Sequence, residues 1–114
     1  MRLAIVGKKC MEASRMDALI TEDVTEIVVF GTKGISSIAK KYALSHNIKF
    51  TEFLPERKKL FGKINTEQND LFVKYSDKIM EFGNNRSKDI KYIINHFRKA
   101  GKQCIFVISG ELAE

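Results

Sequence analysis

The chain has 114 residues, 44% of them hydrophobic and 30% charged, which is enough for one folded domain with a core of its own. Its formal charge is +6, from 20 Lys and Arg against 14 Asp and Glu, and this surplus is compatible with anionic partners such as nucleotides or nucleic acid. Two cysteines without metal-type spacing and a single proline exclude a disulfide scaffold and a low-complexity chain.

The first apolar run, residues 3–6, is too short for a signal peptide or for the roughly 20 residues of a membrane span. We therefore expect a first β-strand there and a cytoplasmic protein that does not enter a membrane. A short helix is predicted over residues 13–20, with three apolar side chains facing inward, namely Met16, Leu19 and Ile20.

A second strand is predicted over residues 26–30, and a helix over residues 34–45 follows it at once. Between them lies the glycine-bounded turn Gly31-Thr32-Lys33-Gly34. Before the turn the apolar residues form a short run that suits a buried strand. After the turn they recur with helical spacing. Asn47 suits the left-handed position that ends a helix.

A third strand is predicted over residues 49–54, near a sheet edge, and Pro55 ends it. The charged residues 56–63 form a loop, which in many proteins contacts ligands. A third helix begins at Asn65 or Thr66, both good N-caps. Its predicted inward face consists of Ile64, Gln68, Leu71, Phe72 and Tyr75.

A fourth strand is predicted over residues 77–82 and a fifth over residues 103–108. The helix between them begins at the N-cap Ser87 and ends at Gly101. Its core stripe is Ile90, Ile93, Ile94 and Phe97. This alternation predicts an α/β domain over residues 1–114, with about five mainly parallel strands and about four helices in three Rossmann-like layers.

The loops after the first, second and fourth strands meet at the edge where the strands end, which is where open parallel sheets bind ligands. Each loop joins backbone N–H groups at a helix start to a cation or a hydroxyl, which is the chemistry that binds phosphate. The candidate residues in these loops are Gly7, Lys8, Lys9, Gly31, Thr32, Lys33, Gly34, Ser36, Asn84, Ser87 and Lys88. No catalytic residue is predicted, because neither paired carboxylates nor a histidine falls at these strand ends. No metal or cofactor is predicted either.

Several segments resemble the small SLOG domains of the YspA-like type over nearly the whole chain: TEIVVFGTKGISSIAKKYA, IKFTEFLP, QNDLFVKYSDKIMEF, RSKDI and AGKQCIFVI. SLOG domains are Rossmann-like, and their members are thought to bind nucleotides or nucleotide-derived ligands. Their relatives include the LOG-type phosphoribohydrolases and the DprA/Smf proteins. The resemblance implies a cytoplasmic module that binds such a ligand and that self-associates.

The resemblance also implies site residues, and this chain departs from the family pattern at several of them. An Arg-Asn pair of the family aligns with Gln68-Asn69, so that Asn69 becomes a further candidate contact to sugar or base. The late Asp-Gly-x-Ser-Lys-Gly-Thr motif keeps only Ser87 and Lys88, and Asp89 stands where the motif has a glycine, followed by Ile90 in place of the threonine.

A degenerate relative that survives only as a homo-oligomeric or partner-binding element remains open on sequence grounds, and so do two alternatives with a function of their own. One is an N-glycosidic hydrolase of the LOG type acting on nucleoside monophosphates, although Ser37 or Ile38 stands where those enzymes have a glutamate. The other is DprA-like binding of single-stranded nucleic acid, to which the basic residues 57–59 and nearby phenylalanines could contribute.

Overall fold

The computed structural model describes residues 1–7, 15–30, 35–53, 66–83 and 87–107. Within these ranges strands and helices alternate as the sequence predicts. The elements are β1 (Arg2–Gly7), α1 (Met16–Leu19), β2 (Glu26–Phe30), α2 (Ile35–Ser45), β3 (Lys49–Phe53), α3 (Thr66–Tyr75), β4 (Lys78–Phe82), α4 (Lys88–Lys99) and β5 (Gln103–Val107).

The five strands form one sheet in the order β3-β2-β1-β4-β5, and every neighbouring pair is parallel. The chain moves outward from β1 to β3 and then returns to place β4 on the other side of β1. Strand order therefore reverses between β1 and β4. The predicted edge position of β3 is confirmed.

Helices cover both faces of the sheet, because alternate residues of each strand pack in opposite directions. Leu3 and Ile5 of β1 belong to a core shared with α1 and α2. Ala4 and Val6 belong to a second core, shared with α3 and α4. The domain is thus a three-layer, Rossmann-like α/β fold, as predicted.

Two helix ends confirm the predicted stop signals. Asn47 ends α2 with a φ of 56°, and the N–H of Ile48 donates to the carbonyl of Ala43 at 2.9 Å. Gly101 ends α4 with a φ of 75°, while the N–H of Lys102 donates to the carbonyl of Phe97 at 3.0 Å. A left-handed residue followed by such a bond satisfies carbonyls that the helix leaves unpaired.

The predicted first helix is too long at its carboxyl end. α1 is Met16–Leu19, and Ile20 already has extended backbone with a ψ of 124°. Met16 and Ile20 are buried as predicted, and Leu19 is half-buried. Residues 13 and 14 lie outside the described ranges.

The predicted inward face of α3 is wrong at Leu71. Its side chain is turned to solvent, and the residue is 48% exposed. The buried residues of α3 and of the turn after it are Asn69, Phe72, Val73 and Ser76, which recur with helical spacing. Phe72 packs edge-on against Phe30 and Phe97, and this contact fixes the rotation of the helix. Gln68 and Tyr75 are half-buried, and Ile64 lies outside the described ranges.

Candidate functional site

The structure describes five of the predicted site residues, and their elements bring all five to the carboxyl edge of the sheet. Gly7 ends β1, Ser36 lies in the first turn of α2 after β2, and Ser87 and Lys88 open α4 after β4. Asn69 lies in the first half of α3, which runs back toward the start of β4. The remaining predicted residues lie outside the described ranges: Lys8, Lys9, Gly31, Thr32, Lys33, Gly34 and Asn84.

Gly7 occupies the point where strand order reverses. It pairs with Phe82 at the end of β4 and has a φ of 120°. A Cβ atom at this position would lie 2.1 Å from the carbonyl oxygen of Phe82. Only glycine allows this close approach of the ends of β1 and β4.

The start of α4 is capped as predicted. The Ser87 Oγ accepts a hydrogen bond from the N–H of Ile90 at 3.2 Å, and the hydroxyl retains its own proton as a donor. Lys88 is exposed. The start of α4 has the chemistry of an anion site, because N–H groups of its first turn have no partners inside the helix and the cation of Lys88 lies beside them.

Asn69 is completely buried. Its Nδ2 donates to the Asp89 Oδ1 in the first turn of α4 at 2.9 Å. Its Oδ1 accepts no hydrogen bond within the described part of the chain. Asp89, which stands where the resembled motif has glycine, is therefore half-buried against Asn69 rather than turned fully to solvent.

Glu81 is a carboxylate near this edge to which the sequence reasoning gave no role. It is 2% exposed and lies next to the end of β4, paired with Val6 of β1 and Phe106 of β5. In the sequence, the signal that could have pointed to Glu81 is that it is the single acidic residue of the strand Lys78–Phe82. Glu81 is thus a second acidic side chain near this edge, in addition to Asp89.

The amino edge of the sheet holds a second polar cluster, built around Glu26. Its Oε2 accepts hydrogen bonds from the hydroxyls of Thr51 and Tyr75. Its Oε1 lies 3.4 Å from the Arg2 Nε and 4.0 Å from the Lys49 Nζ. The register that sets Glu26 beside Lys49 of β3 assembles this cluster.

The pKa of Glu26 lies below its ordinary value of about 4.5. Burial by itself raises the pKa of this carboxyl, but the hydrogen bonds from Thr51 and Tyr75 and the charges of Lys49 and Arg2 outweigh it. Both kinds of contact favour the ionised form. Glu26 is thus a structural carboxylate that connects β1, β2, β3 and the end of α3.

Described residues form two surface pockets, and neither pocket is lined by a described residue of the predicted site. The first, of about 330 Å³, is lined by Arg2, Phe53, Leu71, Lys74 and Tyr75. The second, of about 590 Å³, is lined by Asp17, Ile20, Thr21, Glu22, Val24, Thr25, Tyr42, His46, Asn47 and Ile48. His46 follows the end of α2 and His96 lies in the last turn of α4, away from the carboxyl edge as predicted.

These features define a class, the Rossmann-like α/β domain with a topological switch between β1 and β4. A comparison with models of protein families gives no match, and a comparison with curated proteins gives none either. Among the described residues, no three side chains of the metal-binding types come together in a way that could hold an ion. Within the same ranges, no helix has the length and apolar composition needed to cross a membrane.

Proposed function

We propose that this chain is a SLOG-like module that binds a nucleotide or a nucleotide-derived, phosphate-bearing ligand at the carboxyl ends of β1 and β4. The observation that carries the proposal is the reversal of strand order between these strands. Open parallel sheets bind ligands at such a point, because the crossovers leave it in opposite directions and open a crevice. A cytoplasmic location and self-association belong to the same proposal and rest on the sequence alone.

The backbone at the switch supports an anionic ligand. Gly7 has no side chain to cover the end of β1, and the start of α4, a helix of 12 residues, directs N–H groups toward the same edge. A helix start of this kind favours phosphate through its unpaired donors and its dipole. Lys88 adds a positive charge beside it.

The proposal is for binding rather than catalysis. Asp89 is bonded to Asn69, and Glu81 is buried within the sheet. A general acid must reach the leaving group of a bound substrate, and neither carboxylate meets that condition in this arrangement. Incubation of the protein with AMP should therefore release no free adenine.

A nucleotide panel tests the binding proposal. Thermal shift and calorimetry should find a ligand among AMP, GMP, ADP, ATP and NAD at or below millimolar concentration. A ligand that binds only the native state raises the free energy of unfolding, by about 2.7 kcal/mol when its concentration is 100 times Kd. A labelled single-stranded oligonucleotide is included, so that nucleic-acid binding is an explicit alternative result.

Lys88→Ala should weaken binding by about three- to tenfold, because a cation beside a phosphate contributes on the order of 1 kcal/mol at a solvated site. Lys91→Ala is the matched control: Lys91 is exposed on the same helix one turn further on and should leave affinity unchanged. Absence of any nucleotide effect at millimolar concentration would contradict the proposal, as would equal losses in both variants.

A further inference from the structure

The surface pocket between α3 and the edge strand β3, here called the α3–β3 pocket, has an apolar floor. Phe53, Leu71 and Tyr75 line it, and its volume is about 330 Å³. The Phe53 and Tyr75 rings contact each other, with centroids 5.6 Å apart, and both residues are half-buried. Leu71 is 48% exposed. A leucine exposed beside two aromatic rings leaves apolar surface in water, and covering that surface with a partner is favourable.

The rim of the α3–β3 pocket is cationic. Arg2 and Lys74 line it, and no acidic residue does so among those that the structure describes. The Arg2 guanidinium lies 4.0 Å from the centroid of the Tyr75 ring, which places its charge beside the floor. Of the acids nearby, Glu26 accepts a hydrogen bond from the Tyr75 hydroxyl. Asp77 accepts one from the N–H of Arg2 at 2.8 Å. The rim therefore offers positive charge to an acidic group from outside.

An unpaired strand edge lies beside this pocket. β3 pairs with β2 and has no partner strand on its other side within the described ranges. Its outward N–H and C=O groups can therefore pair with the backbone of an extended peptide. The side chains of a peptide laid along β3 alternate in direction, so that every second one faces the pocket.

These features favour a peptide over a small molecule. A small ligand is usually enclosed by its site, but Arg2, Leu71 and Lys74 are all exposed, so this pocket is open on one side. We propose that the α3–β3 pocket docks an acidic peptide segment of a partner protein, with an apolar side chain on the pocket floor and carboxylates against Arg2 and Lys74. This site is separate from the switch between β1 and β4, and it does not require nucleotide binding there.

Selection from a displayed library of random peptides tests this inference. The immobilised wild-type protein should enrich peptides that carry an apolar residue together with aspartates or glutamates. The enriched peptides are then synthesised, and their Kd is measured by fluorescence polarisation. Replacing their apolar residue with alanine, or their acidic residues with lysine, should weaken binding by at least about tenfold. Added salt should weaken binding as well, because it screens the contacts to the cationic rim.

Two exposed residues of the pocket have matched counterparts on α2. Leu71→Asp and Lys74→Glu should each weaken binding of the enriched peptides by about tenfold. Lys74→Glu should also regain affinity for the lysine-substituted peptides. Leu44→Asp and Lys40→Glu are the controls, since Leu44 is 67% exposed and Lys40 is exposed on the same helix. Both controls should keep the affinity within about twofold, and neither Asp variant should lower the melting temperature by more than about 3 °C.

The inference is overturned if no peptide is enriched, or if Leu71→Asp and Lys74→Glu weaken binding no more than the two α2 controls do. Displacement of the peptide by millimolar AMP would overturn it too, because the pocket would then be a nucleotide site. Two other occupants give distinct results. A dimer that Leu71→Asp dissociates in sedimentation would show that a second copy covers the pocket. A much lower melting temperature for Leu71→Asp than for Leu44→Asp would show that the protein's own chain covers it. Either result overturns the peptide proposal.

Discussion

Gly7→Ala is expected to destabilise the domain by about 3–5 kcal/mol, from a strained backbone and an overpacked contact. The φ of 120° disfavours any residue with a Cβ, and that atom would meet the Phe82 carbonyl oxygen at 2.1 Å. The obstacle is backbone of the neighbouring strand, so it cannot move aside without breaking the pairing of β1 with β4. Urea denaturation followed by circular dichroism measures the loss.

Gly101→Ala is the matched control for this prediction. Gly101 also has a positive φ, 75°, but a Cβ there would have nothing within 4 Å. Gly101→Ala should lower the free energy of unfolding by only about 1 kcal/mol, which is the penalty of the left-handed conformation alone. Equal losses at the two glycines would show that β1 and β4 do not approach each other as described.

Glu26→Ala is expected to lower the free energy of unfolding by about 3 kcal/mol. The carboxylate is the acceptor for two hydroxyls, and its removal leaves the hydroxyls of Thr51 and Tyr75 without this acceptor at half-buried positions. The Arg2 and Lys49 side chains are 47% and 68% exposed, so water can hydrate them after the substitution. The loss of stability should therefore lie at the lower end of the range for breaking a buried ion pair. Glu52→Ala, at an exposed position of β3, should change stability by less than about 0.5 kcal/mol.

The Glu26 contribution should depend on pH in a defined direction. Because its pKa is lower in the folded state than the ordinary value of about 4.5, its stabilisation is fully present above that value and declines as the pH falls through the folded pKa. The stability difference between the wild type and Glu26→Gln should therefore be constant near neutral pH and shrink in acid. A difference that grows on acidification would contradict the assignment.

Strand and helix identities could be predicted because local signals agree with the tertiary contacts. The cap at Ser87 and the stops at Asn47 and Gly101 depend only on nearby residues, and all three are confirmed. The rotation of α3 could not be predicted in the same way. Its sequence has apolar residues on more than one side, and the packing of Phe72 against the sheet decides that Asn69 rather than Leu71 is buried.

The polar clusters were beyond sequence reasoning for a related reason. Glu26 meets Tyr75 across 49 positions of chain, and only the order and register of the strands bring these residues together. Glu81 was visible as a lone acid in an apolar strand, but its burial depends on α3 and α4 covering that face. The predicted loops at 8–9, 31–34 and 84 remain predictions, since they lie outside the described ranges.

The proposal that a nucleotide binds at the switch between β1 and β4 is tested most directly by backbone amide chemical shifts during a titration with AMP. If it holds, the largest changes fall at Gly7, at Gly83 directly after β4, at Ser87 and in the first turn of α4. The amides at the amino edge, such as those of Arg2 and Lys49, should stay unchanged. Changes concentrated instead at Arg2, Phe53 and Tyr75, or none up to millimolar AMP, would contradict it.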